Sequence, residues 1–238
     1  GSDKDVLVRP GTITLPSAPI SIGSGTVVRF SGKTTIIPSS LDRRAVIISN
    51  DCVVENLRVL LLDPALGATG TAAVATSGST ILKNTSVLFA YTDDFATMSN
   101  ESLRYGIQAS TGCTVIGVTM NLPNFENVGI ANDFTGIYVQ SPDLRTTVTN
   151  VDVNGCDIGM NLQGSCTAYN VNATSITRKG IVASAMLATV GPIKIDSCAV
   201  VLNPATEECS GIMLETGSTG LFGTVISNCT ATCSTLGL

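Results

Sequence analysis

The sequence predicts an all-β solenoid, in which short strands stack in successive coils, and three observations support this fold class. The 238 residues are 44% hydrophobic but include no Trp, and only 13% are charged, so Val, Ile, Leu, Ala, Thr and Cys must fill the core. Apolar and polar residues alternate with a period of two rather than 3.6. A short sequence frame also returns along the chain, as stacked repeats with variable loops would produce.

This frame has six positions and recurs seven times, as apolar, any residue, Asn/Gly/Ser, small or apolar, any residue, apolar. Successive central positions are 28, 33, 33, 20, 27 and 31 residues apart. The alternative is chance in a chain rich in Asn, Thr and Val, but seven copies in one frame favour a true repeat. The central positions are Asn56, Asn84, Gly117, Asn150, Asn170, Ser197 and Asn228.

The central residue is predicted to form a sharp corner between two strands. Asn and Gly tolerate the positive φ that tight corners require, whereas β-branched residues do not. Gly117 at an Asn position fits this explanation. Because coils stack about 4.8 Å apart, the asparagines of successive coils would lie over one another and form an amide ladder.

A second column precedes each copy and consists of a short strand led by Ala or Gly. The leading residue lies 11 residues before the central position in four copies, 14 in one copy and 17 in two. Each repeat therefore has a Gly-led strand, a turn that admits insertions, and a strand bent at the central residue. The leading residues are Ala45, Ala73, Gly106, Gly136, Gly159, Gly180 and Gly211.

These motifs resemble the right-handed parallel β-helix of the pectate-lyase-like superfamily, in which asparagine ladders are typical. Residues 11–39, with their Thr-Thr-Ile-Ile strand, are similar to the first coils of phage tailspike and polysaccharide-lyase domains. The resemblance covers essentially the whole chain and implies a single-stranded β-helix of about nine coils with an Asn ladder, roughly 43 Å long. Similarity to tailspikes also implies a homotrimer, although no heptad segment supplies a trimerising force.

We expect one domain, because the repeat runs through almost the whole sequence. Gly1-Ser2 is interpreted as an expression scar (1–2), residues 3–44 as the N-terminal first coils, and 45–238 as the repeated coils. The chain ends without an obvious cap, so it is interpreted as a candidate fragment of a longer protein.

Charge and composition exclude several classes of function. The net charge is −5 and no stretch is basic, so we expect no nucleic-acid partner. No apolar run reaches the roughly 18 residues of a membrane helix, so no membrane insertion is expected. The absence of His removes the commonest neutral-pH base and metal ligand, and we predict neither a metal nor another cofactor.

The eight cysteines are predicted to be mostly buried thiols rather than disulfides. Cys52, Cys113 and Cys166 are separated by a Thr-bearing coil each time, and two coils span about 9.6 Å, beyond the reach of a disulfide. Cys198 and Cys229 share a column on adjacent coils, where either stacked thiols or a bond is feasible. Mostly reduced cysteines indicate folding in a reducing cytoplasm, as for a virion protein that later acts on a virion surface or outside the cell.

Binding residues are expected beside the Gly-led strand, near the long loops 60–72, 88–105 and 121–135. Period two places two rows on its outer face. The first is Ile47, Ala75, Gln108, Tyr138, Asn161, Val182 and Met213; the second is Ser49, Ser77, Ser110, Gln140, Gln163, Ser184 and Glu215. Amides and aromatic rings suit sugar hydroxyls, although exposed sheets also carry such rows for packing alone. The glycan-binding candidates are Tyr138, Gln108, Gln140, Asn161, Gln163, Tyr91 and Tyr105.

Catalytic candidates are carboxylates, namely Asp93, Asp94, Asp133 and Glu215. Lyases of the resembled superfamily need several acidic residues to hold Ca²⁺ and a basic Arg or Lys, whereas the galacturonase-like relatives need about three Asp residues for acid–base work. The Gly-led face offers only Glu215, and Asp93-Asp94 lacks the accompanying motifs, one of which needs His. This departure argues against catalysis at the site usual for the superfamily.

The favoured interpretation is a structural or receptor-binding domain of a phage-like tailspike, fibre or related surface protein, which contacts a polysaccharide or cell-surface glycan without cleaving it. A polysaccharide lyase or glycoside hydrolase with loop-borne carboxylates is one alternative. A scaffold without a ligand is the other.

Overall fold

The computed structural model describes residues 4–62, 70–90, 104–121, 134–184, 192–203, 209–215 and 223–233. Within these ranges the chain is all-β, and every strand pairing is parallel, in one strongly curled sheet. The predicted all-β class is therefore confirmed. The architecture is compatible with a parallel β-helix, because each of the first strands pairs with the strand three further along the chain.

Three series of strands run through this sheet. The first contains β1 (Lys4–Val8), β4 (Thr26–Phe30), β7 (Val53–Glu55), β10 (Ile81–Lys83), β13 (Thr114–Asn121), β14 (Thr135–Ser184), β15 (Lys194–Asp196) and β18 (Val225–Ser227). The second adds β2 (Gly11–Thr14), β5 (Thr34–Ile37), β8 (Arg58–Leu62), β11 (Ser86–Ala90), β16 (Ala199–Leu202) and β19 (Thr230–Cys233). The third adds β3 (Ile20–Ile22), β6 (Val46–Ile48), β9 (Ala72–Thr76), β12 (Tyr105–Ala109) and β17 (Ser210–Glu215).

Aliphatic columns inside the curled sheet form its core. In the first series, strand register stacks the column Val28, Val54, Leu82, Val115 and Val148, all of which are buried. Burying one such side chain contributes about 1.5–3 kcal/mol, and β-branched residues suit the extended backbone. The core therefore follows from the period-two alternation of the sequence.

The seven central positions of the repeat all have positive φ, between 50° at Asn84 and 66° at Gly117. The predicted positive-φ corners are therefore confirmed. In two neighbouring pairs the amides are hydrogen-bonded: Asn84 Nδ2 donates to Asn56 Oδ1 over 3.3 Å, and Asn170 Nδ2 donates to Asn150 Oδ1 over 2.7 Å. Where Ser197 replaces Asn, the next residue in the column, Asn228, donates instead to Asp196 Oδ1 over 3.0 Å.

The Gly-led column has a different physical cause, which is close packing between adjacent stretches of the curled sheet, here within β14. A Cβ atom built on Gly159 would lie 2.6 Å from the carbonyl oxygen of Gly180 and 3.0 Å from the Cβ of Ala173. The same carbonyl contact recurs from Gly136 to Gly159 at 2.7 Å. Glycine is required here because any side chain would separate stacked strands and intrude on the core.

All eight cysteines lie in the described ranges, and none is in a disulfide. Cys52, Cys113, Cys156, Cys166 and Cys198 are buried, as small apolar groups would be. Cys198 and Cys229 are adjacent across β16 and β19, since the residues that follow them, Ala199 and Thr230, are register partners. The predicted shared column of these two cysteines is confirmed, and burial raises the pKa of Cys198 to about 11.

Candidate functional site

A group of aromatic and amide side chains lies on the third strand series, and we call it the tyrosine–amide cluster. Strand register brings its parts together: Gln108 of β12 is the partner of Tyr138 of β14, and Tyr105 is the partner of Thr135. The cluster therefore arises from neighbouring strands rather than from one loop. Its members are Tyr105, Gln108, Tyr138, Gln140, Asn161 and Gln163.

The two tyrosine rings are stacked, with centroids 4.4 Å apart and planes inclined by 11°. Both side chains are partly exposed. Each ring covers one face of the other, so each ring has at most one face left for a ligand. Burial raises the pKa of Tyr138, and the neighbouring Tyr105 raises it further, so Tyr138 carries its proton at neutral pH.

That proton is used in a hydrogen bond. The Tyr138 hydroxyl donates to Gln163 Oε1 over 2.8 Å. Since the hydroxyl proton is directed at Gln163, the hydroxyl oxygen is left as an acceptor for an incoming donor. The bond also fixes the orientation of the ring, which lowers the entropy that a ligand would have to remove.

The amides of the cluster differ in exposure. Gln140 is exposed, Gln108 and Asn161 are partly buried, and Gln163 is only 7% exposed. Asn161 Oδ1 is buried, and no hydrogen-bond donor to it is found within the described part of the chain. Gln163 therefore acts as a support for Tyr138 rather than as an open surface group, whereas Gln108 and Gln140 remain accessible.

The predicted outward rows need one correction. Register confirms that Val182 pairs with Met213 and Ser184 with Glu215, but Val182 is 1% exposed and Ser184 is fully buried. Gln163, in the same row as Ser184, is also buried. Alternation specifies the side of a strand but cannot indicate what else covers that side, so the accessible part of the rows is shorter than the sequence suggested.

Glu215 is the one catalytic candidate that lies in the described ranges. Its carboxylate Oε1 is 2.8 Å from Lys179 Nζ, and both side chains are partly buried. Oε1 of this carboxylate is therefore already engaged by a cation.

The other acidic candidates, Asp93, Asp94 and Asp133, lie outside the described residues, as does Tyr91. Among the side chains that the structure does describe, no group of three or more His, Cys, Asp or Glu residues is arranged to hold a metal ion. The same part of the chain contains no helix that could span a membrane.

A second polar stack, on the second strand series, was missed in the sequence. Asn154 Nδ2 donates to Asn121 Oδ1 over 3.2 Å, and Thr174 Oγ1 donates to Asn154 Oδ1 over 3.2 Å. Parallel to it, Asn172 Nδ2 donates to Asp152 Oδ1 over 3.4 Å. The signal was present, because Asn121, Asn154 and Thr174 each lie four residues after a central position of the repeat.

Two clefts lie near the N-terminal strands, away from the tyrosine–amide cluster. One of about 390 Å³ is bordered by Leu15, Pro38 and Arg43, among others. The other, of about 410 Å³, is lined mainly by apolar side chains of the first strands, including Ile13, Ile20 and Phe30. Both clefts contain polar side chains, among them Ser39 and Arg43 in the first and Lys4 and Ser24 in the second, but neither combines an aromatic ring with an amide side chain. The tyrosine–amide cluster does combine them, so it is the stronger candidate for a glycan.

Fold and site together define an all-β protein with a curled parallel sheet and an aromatic–amide surface. The sequence matches no model of a known protein family and no curated protein. A fold of this kind does not determine a function by itself, so the side chains of the site have to indicate it.

Proposed function

We propose that the chain is a right-handed parallel β-helix of about nine coils whose corners carry an asparagine ladder. Three parallel strand series support the helix, because their successive pairings follow the chain order. The hydrogen-bonded pairs Asn56–Asn84 and Asn150–Asn170 support the ladder. Gly117 has no amide and therefore interrupts the ladder. It nevertheless lies beside Asn84 in the same column, because a Cβ atom built on Gly117 would be 2.8 Å from Asn84 Oδ1.

The proposed role is that of a structural or receptor-binding domain in a phage-like tailspike, fibre or related surface protein. It contacts host-surface glycans without cleaving them, as part of a homotrimer on a virion surface. The eight cysteines without disulfides support folding in a reducing cytoplasm before that stage. The resemblance of the repeat to tailspike β-helices supports the viral context.

One observation carries the glycan proposal, namely the Tyr105–Tyr138 stack with its hydrogen bond to Gln163. Sugars offer apolar C–H faces and rigid hydroxyl pairs, which aromatic rings and planar amides complement. A rigid sheet holds these groups in place before binding, so little conformational entropy is lost. Gln108 and Gln140 supply further donors and acceptors beside the rings.

Cleavage is the alternative activity, through carboxylates of a lyase or hydrolase. Acid–base cleavage of a glycosidic bond uses two carboxyl groups that face each other across the substrate. Glu215 instead pairs with Lys179, which favours binding without cleavage. A scaffold without a ligand is the remaining alternative, in which the cluster only packs neighbouring coils.

The test is a panel of bacterial surface polysaccharides, scored for both binding and the release of new chain ends. We expect at least one polysaccharide to bind without the appearance of new ends. Tyr138→Ala should then weaken binding about tenfold or more, because the variant loses both the ring and its hydrogen bond to Gln163. Tyr169→Ala is the matched control, since Tyr169 is an exposed tyrosine (46%) on the first strand series.

Release of chain ends would replace the proposal with the enzyme alternative. Equal loss of binding in both tyrosine variants would show that the glycan does not bind at the tyrosine–amide cluster. No binding by any member of the panel would favour the scaffold. Far-ultraviolet circular dichroism of each variant should match that of the original chain, which ensures that binding is compared between folded proteins.

A further inference from the structure

Two cysteines contact each other at the surface of the last described strands. Cys209 immediately precedes β17, and Cys233 is the last residue of β19. Their Sγ atoms are 3.8 Å apart, and Cys209 is partly exposed while Cys233 is exposed. This contact could not be predicted from the repeat, because the two residues occupy no shared column of it.

Five of the other six cysteines are buried, and the sixth, Cys229, is partly exposed. Cys156 and Cys166 are buried, and burial raises the pKa of both thiols, to about 12 for Cys166. Cys198 is buried beside Cys229, and its thiol lies 3.3 Å from the carbonyl oxygen of Asp196. Buried thiols of this kind react slowly, because the thiolate is disfavoured and reagents cannot reach it.

We propose that Cys209 and Cys233 form a modification site, a dithiol that small disulfide oxidants convert into an intrachain disulfide. The bond needs an S–S distance of about 2.05 Å, so the two sulfur atoms must approach by rotation of side chains that solvent already reaches. This inference is independent of glycan binding.

The reaction is balanced by one molecule of an oxidant such as glutathione disulfide. The more exposed thiol, Cys233, loses its proton and attacks the oxidant, which forms a mixed disulfide and releases one glutathione. The Cys209 thiolate then attacks the Cys233 sulfur and releases the second glutathione. The two protein thiols are oxidised, the oxidant is reduced to two thiols, and the released glutathione thiolates take up the two protons.

The cross-link would fasten the terminal part of the sheet. All four residues of β19 are exposed, and the strand is paired with β16. A bond from Cys233 to Cys209 would attach the end of β19 to the start of β17 as well. A protein that folds as a dithiol in a reducing compartment would thus gain a clamp after transfer to an oxidising one.

Peptide mapping after incubation of the whole chain with glutathione disulfide tests the proposal. A Glu-specific protease, used after blocking of remaining thiols, places Cys209 in 209–215, Cys229 and Cys233 in 216–238, and Cys198 in 127–207. We expect 209–215 to be joined to 216–238 through Cys233, with a loss of two hydrogen atoms in the intact mass. Amide hydrogen exchange in β19 should become at least several-fold slower.

Two variants make the outcome decisive. Cys209→Ser should stop at the mixed disulfide on Cys233 and show no slowing of exchange, and Cys198→Ser should cross-link like the original chain. A link between 127–207 and 216–238 would overturn the proposal in favour of the Cys198–Cys229 pair. Only mixed disulfides, only intermolecular dimers, or no reaction in the folded original chain would each overturn it as well.

Discussion

The middle of the chain and its last strands share one sequence frame but differ in burial. Val148 lies two residues before the corner at Asn150 and is fully buried, whereas Ile226 lies two residues before the corner at Asn228 and is 42% exposed. Both corners have nearly the same φ, 55° and 53°. Local conformation is therefore set within the repeat, whereas burial is set by neighbouring strands.

The cause lies in the pairing partners. β14 pairs with β13 on one side and with β15 and β16 on the other, whereas β18 and β19 pair with β15 and β16 and with no other strand in the described ranges. In a stacked architecture, stability is roughly a sum of repeat terms and nearest-neighbour interfaces. Equivalent residues should thus differ in energetic importance according to their position along the stack.

The largest expected effect compares two isoleucines that are register partners, Ile195 and Ile226. Ile195 is fully buried and Ile226 is 42% exposed. Ile195→Ala should lower the free energy of unfolding by about 2–5 kcal/mol, because it leaves a cavity. Ile226→Ala should cost less than about 1 kcal/mol. Urea denaturation followed by circular dichroism measures both free energies, and equal losses would contradict the dependence of stability on neighbouring strands.

A smaller effect is expected at the corners. Asn150→Ala places a residue that has a Cβ but no side-chain amide at a φ of 55°. This conformation costs such a residue about 1–2 kcal/mol of the free energy of unfolding. It also removes the acceptor of the Asn170 amide. Asn150→Gly is the matched control, since Gly adopts this φ without strain. Urea denaturation should show the Gly variant closer to the original; the reverse order would contradict a conformational role for Asn150.

The corners and the core were predictable because each is specified locally. Positive φ selects Asn or Gly residue by residue, and period two identifies the inward side of a strand. The Gly-led column was also visible in the sequence, but its cause, the approach of Gly159 to the carbonyl oxygen of Gly180, is a contact between residues that are distant along the chain. That cause becomes visible only when the stacking register is known.

The candidate site was predictable only in part for the same reason. Tyr138 and Gln108 could be placed on one face from alternation, but the ring stack with Tyr105 depends on how side chains lean across neighbouring strands. The burial of Ser184 and the ion pair of Lys179 with Glu215 likewise depend on neighbours. Cys209 and Cys233 meet because the end of β19 lies close to the start of β17, and no single-repeat frame encodes this contact between two strand series.

The weakest effect is expected at the last described corner, where Asn228 donates to Asp196 instead of to another asparagine. The pKa of Asp196 lies below the ordinary value of 3.8; this hydrogen bond is the largest cause, and a hydrogen bond from Ser227 is the second. A lowered folded-state pKa contributes stability above the unfolded-state pKa, and this contribution is lost as pH falls through the folded-state value. Carboxyl NMR titration should show a higher pKa of Asp196 in Asn228→Ala. The rise should be smaller in Asn228→Ser, because serine keeps a hydrogen-bond donor, although on a shorter side chain. An unchanged titration in both variants would mean that Asp196 is held by its other neighbours, and that the corner at Asn228 is fixed by backbone conformation alone.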